Sequence, residues 1–465
     1  MNRLFLLTAL FTLCFTFHAF AQTTTAADSV LHYENLLQTT DQSDEFERAR
    51  SWLNRYYREK VTRVEADVPD YQLPDLLRLE SGSRVEDTET WTRQRRPELL
   101  EQFRAQVYGR VPAFDYETSY QVRSVDDQAL GGLATRKEAT IQLTNEENGS
   151  EVSIELLIYL PNGVAGRVPA FMGLNFYGNH TIHDDEEILI SNKWMRPNDS
   201  IGIQDNRATE ETRGVYSERW QVEEVLSRGY AVVTAYAGDM EPDEHNRLYE
   251  GVRALSYGST AKPAADEWGT LAAWAWGLSR MMDYLEADEA IDHQRIAVLG
   301  HSRLGKAALW AGATDERFGI VISNNSGCGG AALSRRKLGE TVGVINTSFP
   351  HWFCENHNRY NEREAELPVD QHMLLALIAP RPLYVASAVE DTWADPKGEF
   401  LSAVEATPAW RLYGLEGLPA TTLPEVDQPV SGTIGYHIRS GGHAVTAYDW
   451  EQFLMFADRH FSSSR

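Results

Sequence analysis

Cysteine is nearly absent, with three residues in a chain of 465. So few thiols exclude a small disulfide-stapled scaffold, and a chain of this length has to be held by a hydrophobic core. Positive charge is also scarce: 43 Lys and Arg stand against 68 Asp and Glu, a formal net charge of -25. Such a surface repels phosphate backbones, which excludes nucleic acid as a partner. Internal repeats and low-complexity linkers are missing, so one compact catalytic domain is the economical reading. Only one apolar run approaches membrane length, Leu4 to Phe20, behind Met1-Asn2-Arg3 and closing in Ala19-Phe20-Ala21. It is short for a bilayer span and is followed by the polar segment Gln22 to Ser29, so it reads as a secretory signal peptide (1–21) cleaved after Ala21. Lipidation at Cys14 is disfavoured because Leu13 is not the small residue such processing needs. The mature protein is therefore expected to be soluble, and secreted or periplasmic, with no membrane association. Loss of Arg3 takes the formal charge from -25 to -26. Of the cysteines it keeps Cys328 and Cys354; export permits them to pair, and two buried free thiols fit the sequence equally well.

What is present is a chain that changes texture along its length. Ser43 to about Val68 is charged, with Phe46, Trp52, Leu53, Tyr56 and Tyr57 at helical spacing, which predicts one amphipathic helix. Residues 22–95 are read as an N-terminal extension packed on a catalytic domain at 96–465. A second helix is predicted over Arg96 to Val107, stopped by Gly109 and Pro112. Ala139 to Leu143 and Val152 to Leu160 alternate about the polar segment Asn145 to Ser150, as an antiparallel strand pair does. From Val168 onward short apolar runs (Ala170 to Phe176, Tyr230 to Ala235, Ile296 to Gly300, Gly319 to Ser323, Leu383 to Ala388) alternate with helical stretches. That rhythm implies right-handed crossovers and a largely parallel sheet covered on both faces, an α/β fold. In the longest helix candidate, Glu267 to Ala287, the Trp and Met rows are read as core.

Chemistry concentrates where a strand turns into a helix. Ile296 to Gly300 is a buried strand, His301-Ser302-Arg303 a sharp turn and Leu304 to Ala313 a helix. This is the context of a nucleophile elbow, which lifts a serine hydroxyl above the sheet. The second glycine, Gly305, comes one residue later than in the G-x-S-x-G pattern. Arg303 and Lys306 share one face of the first helical turn, where the macrodipole already disfavours cations, so something negative should offset them: an oxyanion forming at Ser302 or a polar substrate above it.

A serine of this kind needs a base, and in this fold the order along the chain is nucleophile, acid, base. His443, in Ser440-Gly441-Gly442-His443-Ala444 before a predicted final helix Ala447 to Phe461, satisfies that order; His437 reads as an ordinary strand residue. For the acid, the strand Pro382 to Ala388 ends just before Glu390, Asp391 and Asp395. Asp391 has the best reach to fix the imidazole tautomer, with Glu390 and Asp395 as alternatives. The preceding strand leads only into the amides Asn324 and Asn325.

Four blocks then resemble the glucuronoyl esterase family: Gly300-His301-Ser302-Arg303-Leu304-Gly305-Lys306, Asn325 to Ala331, Asp391-Thr392-Trp393-Ala394-Asp395-Pro396, and Gly441-Gly442-His443. The likeness runs roughly from Pro74 to the C-terminus. It implies an α/β-hydrolase three-layer αβα sandwich and a serine esterase without metal; no other cofactor is expected, and the chain is expected to act as a monomer. The implied substrate is the ester joining (4-O-methyl-)glucuronic acid of glucuronoxylan to lignin alcohols. It also implies Ser302 as nucleophile, His443 as base, and Arg303 as oxyanion stabiliser through its backbone N–H and side chain. Lys306, Glu340 and Trp393 match positions that bind the uronate sugar. Two departures from the fungal pattern stand out. Asn325 occupies the place of a Glu acid, which shifts that role to Asp391, and His301 and Ala444 replace a cysteine pair. The alternatives to this activity are an acetyl-xylan or other carbohydrate deacetylase on the same fold, and a noncatalytic polysaccharide-binding protein.

Overall fold

Ten strands form one sheet in the order β1-β2-β3-β5-β4-β6-β7-β8-β10-β9. They are β1 Glu117–Gln128, β2 Ala134–Asn145, β3 Ser150–Pro161, β4 Val168–Asn175, β5 Ala231–Tyr236, β6 Ile291–His301, β7 Ile320–Asn324, β8 Leu383–Ala388, β9 Val430–Ser431 and β10 Ile434–Arg439. The structure, a computed structural model, describes residues 26–37, 44–258 and 262–462. The expected leader peptide lies outside them. No helix among the described residues is long and apolar enough to cross a membrane.

The five apolar runs read from the sequence are β4 to β8, and β4, β5, β6, β7, β8 and β10 are mutually parallel. The alternating pair is β2–β3, antiparallel through twelve consecutive residue pairs from Ala134↔Pro161 to Asn145↔Ser150. Alternation within each central strand serves two cores. In β6, Ile296 and Val298 join the core that also holds Trp274, Met281 and Ala307, whereas Ala297 and Leu299 join the one with Trp450, Phe453 and Val225. Helices Thr270–Ala287, Arg303–Thr314 and Pro396–Leu412 therefore cover one face, and Val222–Ser227 and Ala447–Ser462 the other. This is the three-layer αβα arrangement of an α/β hydrolase. The chain runs from β4 outward to β5 and returns across β4 to β6, so the strand order reverses between β4 and β6. The crevice beyond the carboxyl ends of strands at such a reversal is where α/β sheets bind ligands.

The described residues fall into two compact units divided between Tyr56 and Tyr57. In the smaller, Trp52 stacks with Tyr56 at 5.4 Å and Tyr33 lies 4.8 Å from Trp52. The amphipathic helix is shorter than its sequence pattern, ending at Glu59 rather than near Val68. The cause is a competing backbone pairing, because Thr62 bridges to Leu338 and accepts a hydrogen bond from Gly339 N at 2.9 Å. Segment 57–95 belongs to the larger unit, and its Leu76, Leu79, Val85 and Trp91 are buried in the main core. Helix Arg96–Phe103 continues into a wider turn through Tyr108 and stops at Gly109, whose φ of 89° ends it. Cys328 and Cys354 are both free and buried. Burial raises both thiols, Cys354 to about 12, which keeps them protonated.

Candidate active site

Ser302 sits at the carboxyl end of β6 with φ 57° and ψ -128°, a left-handed backbone that a serine adopts only where its surroundings enforce it. Two close approaches enforce it here. A Cβ at Gly300 would lie 2.0 Å from Leu304 O, and one at Gly305 would lie 3.0 Å from Gly300 O and 3.1 Å from Ser326 Cβ. The displaced second glycine thus seats the helix against the loop after β7. Gly305 N and Lys306 N turn back onto Ser302 O at 2.9 and 3.2 Å, and Ser302 N is tied to Asn324 O at 2.9 Å. The N–H of Arg303 remains at the helix head, where no intrahelical acceptor exists.

Beside this elbow lies the His443 ring, 4.5 Å between centroids from His301. Its Nδ1 meets Asp391 Oδ2 at 2.6 Å. Of the three carboxylates weighed for this position, Asp391 is the one that reaches the ring. Asp395 instead pairs with Arg336 at 2.8 Å and caps the helix Pro396–Leu412 through Gly398 N. Burial alone would raise the Asp391 carboxyl, but hydrogen bonds from His443 and Asn325 hold it below its ordinary value. An ionised carboxylate only accepts, so Nδ1 of His443 carries the proton and Nε2 presents its lone pair. The His443 side chain is 45 % exposed, which leaves Nε2 open to a ligand. Asn325 donates Nδ2 to the same Asp391 oxygen at 2.8 Å.

The two cations of the first helical turn are offset by the protein itself. Arg303 Nε pairs with Asp243 Oδ2 at 3.0 Å, and its guanidinium lies 4.7 Å over the Phe176 ring. Asp243 also accepts from His351 Nε2 at 2.9 Å and Trp352 Nε1 at 2.7 Å. Burial opposes ionisation of Asp243, yet Arg303, His351 and Trp352 together hold its carboxyl well below the usual range. Lys306 is buried; its Nζ donates to Ser326 O at 2.5 Å and Cys328 O at 2.7 Å and lies 3.9 Å from Glu340 Oε2. Burial raises the Glu340 carboxyl against the pull of Lys306 and Trp393. Glu340 N donates to Trp393 O at 3.0 Å, and the Trp393 ring is approached by Arg58 at 5.0 Å and Arg63 at 5.9 Å. Of the seven residues singled out in the sequence, Asp391 and His443 pair directly, Lys306 and Glu340 lie 3.9 Å apart, Glu340 and Trp393 are joined through the backbone, and Ser302 and Arg303 stand at the head of the helix that carries Lys306.

Several supporting groups escaped sequence reasoning. Asp243 had no motif to mark it. His301 is buried and its ring held down to about pKa 3, by burial first and then by His443, so it is neutral. Its Nδ1 lies 2.7 Å from Asn324 Oδ1, and since Asn324 spends Nδ2 on Asp449 at 2.9 Å, its oxygen must accept from His301. His437, read as an ordinary strand residue, is buried between Tyr384 and Asp449. Asp449 did carry a readable signal, the Thr446-Ala447-Tyr448-Asp449 capping box that opens the last helix.

Comparison with known proteins adds the following. Residues 256–414 match the family described as "Glucuronyl esterase, fungi". Carbohydrate esterase MZ0003, from an unknown prokaryotic organism, is 51% identical over 86% of this chain and 91% of its own length. The solved structure of the glucuronoyl esterase from Solibacter usitatus is 48% identical, covers 85% of this chain and 100% of its own, and superposes with a TM-score of 0.80. This chain belongs to the glucuronoyl esterase family. It is therefore a carbohydrate esterase, a hydrolase of carboxylic esters. A fungal relative, 4-O-methyl-glucuronoyl methylesterase 1 of Phanerochaete chrysosporium, is 41% identical over 37% of each chain.

Proposed function

We propose that this glucuronoyl esterase cleaves the ester between (4-O-methyl-)glucuronic acid of xylan and lignin alcohols, through an acyl-enzyme on Ser302. The observation that carries the reading is the pairing of Asp391 with His443 Nδ1 at 2.6 Å, which leaves Nε2 as the acceptor beside the strained Ser302 elbow. Nε2 takes the Ser302 proton as Oγ attacks the uronoyl carbonyl. The resulting oxyanion is met by the Arg303 N–H and guanidinium. Collapse expels the alcohol, which takes the proton back from Nε2, and water repeats the sequence to release the uronate. Lys306, Glu340 and Trp393 hold the sugar: two charged groups suit its hydroxyls, and the indole offers an apolar face and a donor. The name 4-O-methyl-glucuronoyl methylesterase carried by the fungal relative supports the uronate as acyl group.

The reading includes export, with residues 1–21 removed, and action as a monomer on extracellular plant polymer. Residues 22–95 serve as an extension of the catalytic domain. The deciding assay sets methyl and benzyl glucuronate beside acetylated xylan. Turnover of the glucuronate esters that vanishes in Ser302→Ala is expected; a preference for acetyl groups overturns the assignment.

A further inference from the structure

Three backbone carbonyls flank His443 in its loop, those of Ser440, Gly442 and Ala444, and all three converge on one side chain. Arg439, the last residue of β10, donates Nη1 to Ser440 O at 2.8 Å and Nη2 to Gly442 O at 3.1 Å and Ala444 O at 2.6 Å. A guanidinium can do this because its donors are fixed in a planar fork; an ammonium cannot span the three acceptors. The loop is also tied through Ser440 N to Asp427 Oδ1 at 3.0 Å and through Gly441 O, which accepts from Glu390 N at 3.0 Å, but it is Arg439 that gathers the carbonyls on both sides of His443. The loop contains Gly441 and Gly442, lies at the surface, and has no regular secondary structure of its own between Arg439 and Ala447.

Arg439 is itself held from behind. Its Nε donates to Asp449 Oδ2 at 2.8 Å, and both side chains are buried. Asp449 is the hub of this contact. Its Oδ2 also accepts from Thr446 N and Thr446 Oγ1, each at 2.7 Å, and its Oδ1 from His437 Nε2 and Asn324 Nδ2, each at 2.9 Å. The Asn324 branch returns to the same place from the other side, because Asn324 Oδ1 holds His301, whose ring lies against His443. One buried carboxylate thus links the end of β10, the end of β7, the head of the last helix and both loops that bear Ser302 and His443.

We propose that Arg439, anchored by Asp449, is the positioning residue for His443: it sets the loop so that the imidazole meets Asp391 and Ser302 together. Arg439 touches no reacting atom and acts through His443 alone. The inference rests on His443 being the base.

The test uses the full chain on methyl and benzyl glucuronate. Arg439→Lys keeps the charge opposite Asp449 but loses the fork. It is expected to lower kcat at least tenfold with KM changed less than twofold, while His443→Ala lowers kcat far more. In the His443→Ala background the same Arg439→Lys change is expected to cost nothing further. Chemical rescue supplies a second readout, since added guanidinium should restore part of the lost kcat in Arg439→Ala. Wild-type kcat in Arg439→Lys, or an equal loss in the presence and absence of His443, overturns the proposal. Should the Arg439 variants fail to fold, Thr446→Val carries the test by removing one donor from Asp449. A fall in kcat at constant KM is expected there, and an unchanged kcat overturns the inference. If His443→Ala is itself fully active, the reading of the base has failed rather than the positioning claim.

Discussion

Asn325 Nδ2 donates to Asp391 Oδ2, the same oxygen that faces His443 Nδ1. Where the resemblance implied an acid in other members, this chain has a donor that stabilises the Asp391 carboxylate. Removal of the carboxylate should therefore be severe and removal of the amide moderate. Asp391→Ala is expected to lower kcat by about 10⁴-fold, the loss seen when the third member of such a triad is removed. Asn325→Ala deletes one hydrogen bond to a charged group and should cost about tenfold. Steady-state kinetics on benzyl glucuronate decide it, and comparable losses in the two variants would reassign the acid.

Arg303 and Asp243 form the other pair that can be tested directly. An oxyanion donor contributes about 10²–10³ in kcat, so Arg303→Ala should fall in that range while Arg303→Lys, lacking the planar fork, recovers only part. Asp243→Asn leaves the guanidinium on Phe176 without its carboxylate. Fully buried pairs cost ~3–5 kcal/mol when broken. Here a quarter of the Arg303 side chain is exposed, and about 2 kcal/mol of destabilisation is expected after solvent screening. Denaturant titration reads that loss, and kinetics at a temperature where the variant is folded read the slackened Arg303. Full kcat in Asp243→Asn would show that the guanidinium needs no anchor.

The fold was legible in this sequence wherever a pattern was local. The five short apolar runs, the alternating β2–β3 pair and the strand-turn-helix at Ser302 follow from periodicity and turn chemistry. The helix that ends at Glu59 falls short of its sequence pattern because the pairing that ends it comes from Leu338 and Gly339, far along the chain. The same distinction separates the parts of the site. Ser302 and His443 have motifs, whereas Asp243 acquires its role only by folding beside His351 and Trp352. Arg303 and Lys306 pose a charge problem for which the sequence points to a ligand. The structure meets it with Asp243 and Glu340, drawn from two other loops.

Trp393 and Glu340 touch no reacting atom in the proposed mechanism. Their contribution should be to binding that is equal in ground and transition states, which raises KM without lowering kcat. Trp393→Ala is expected to raise KM about tenfold, the equivalent of ~1.4 kcal/mol, with kcat nearly unchanged. Glu340→Gln keeps the shape and the backbone contact with Trp393 and should have a smaller effect in the same direction. A fall in kcat at unchanged KM for either variant would place that side chain in the chemistry instead.

Glu399 offers a prediction about stability rather than rate. It is fully buried in the helix Pro396–Leu412, and among the described residues its donors are neutral: Ser387 Oγ at 2.6 Å, Gly327 N at 2.9 Å and, more weakly, Ser326 Oγ at 3.4 Å. Burial pushes its carboxyl up to about 8, against those hydrogen bonds and with help from the nearby Asp391 and Asp395. In the unfolded chain the same group ionises near its ordinary value of 4.5. Between those two values the unfolded state has lost a proton that the folded state retains. Its stabilising contribution is complete below pH 4.5, declines as pH rises, and is gone above about pH 8. The slope from one such group is up to about 1.4 kcal/mol per pH unit. Asp239 and Glu241, each raised to about 7 by burial, act in the same direction, so the informative quantity is a difference between variants. Glu399→Gln preserves an acceptor for Gly327 N and cannot ionise. Urea midpoints at pH 5 and pH 8 should therefore fall less steeply with pH in the variant than in the wild type, with the gap closing toward pH 5. Parallel pH dependences in the two proteins would mean that Glu399 is already ionised in the folded state.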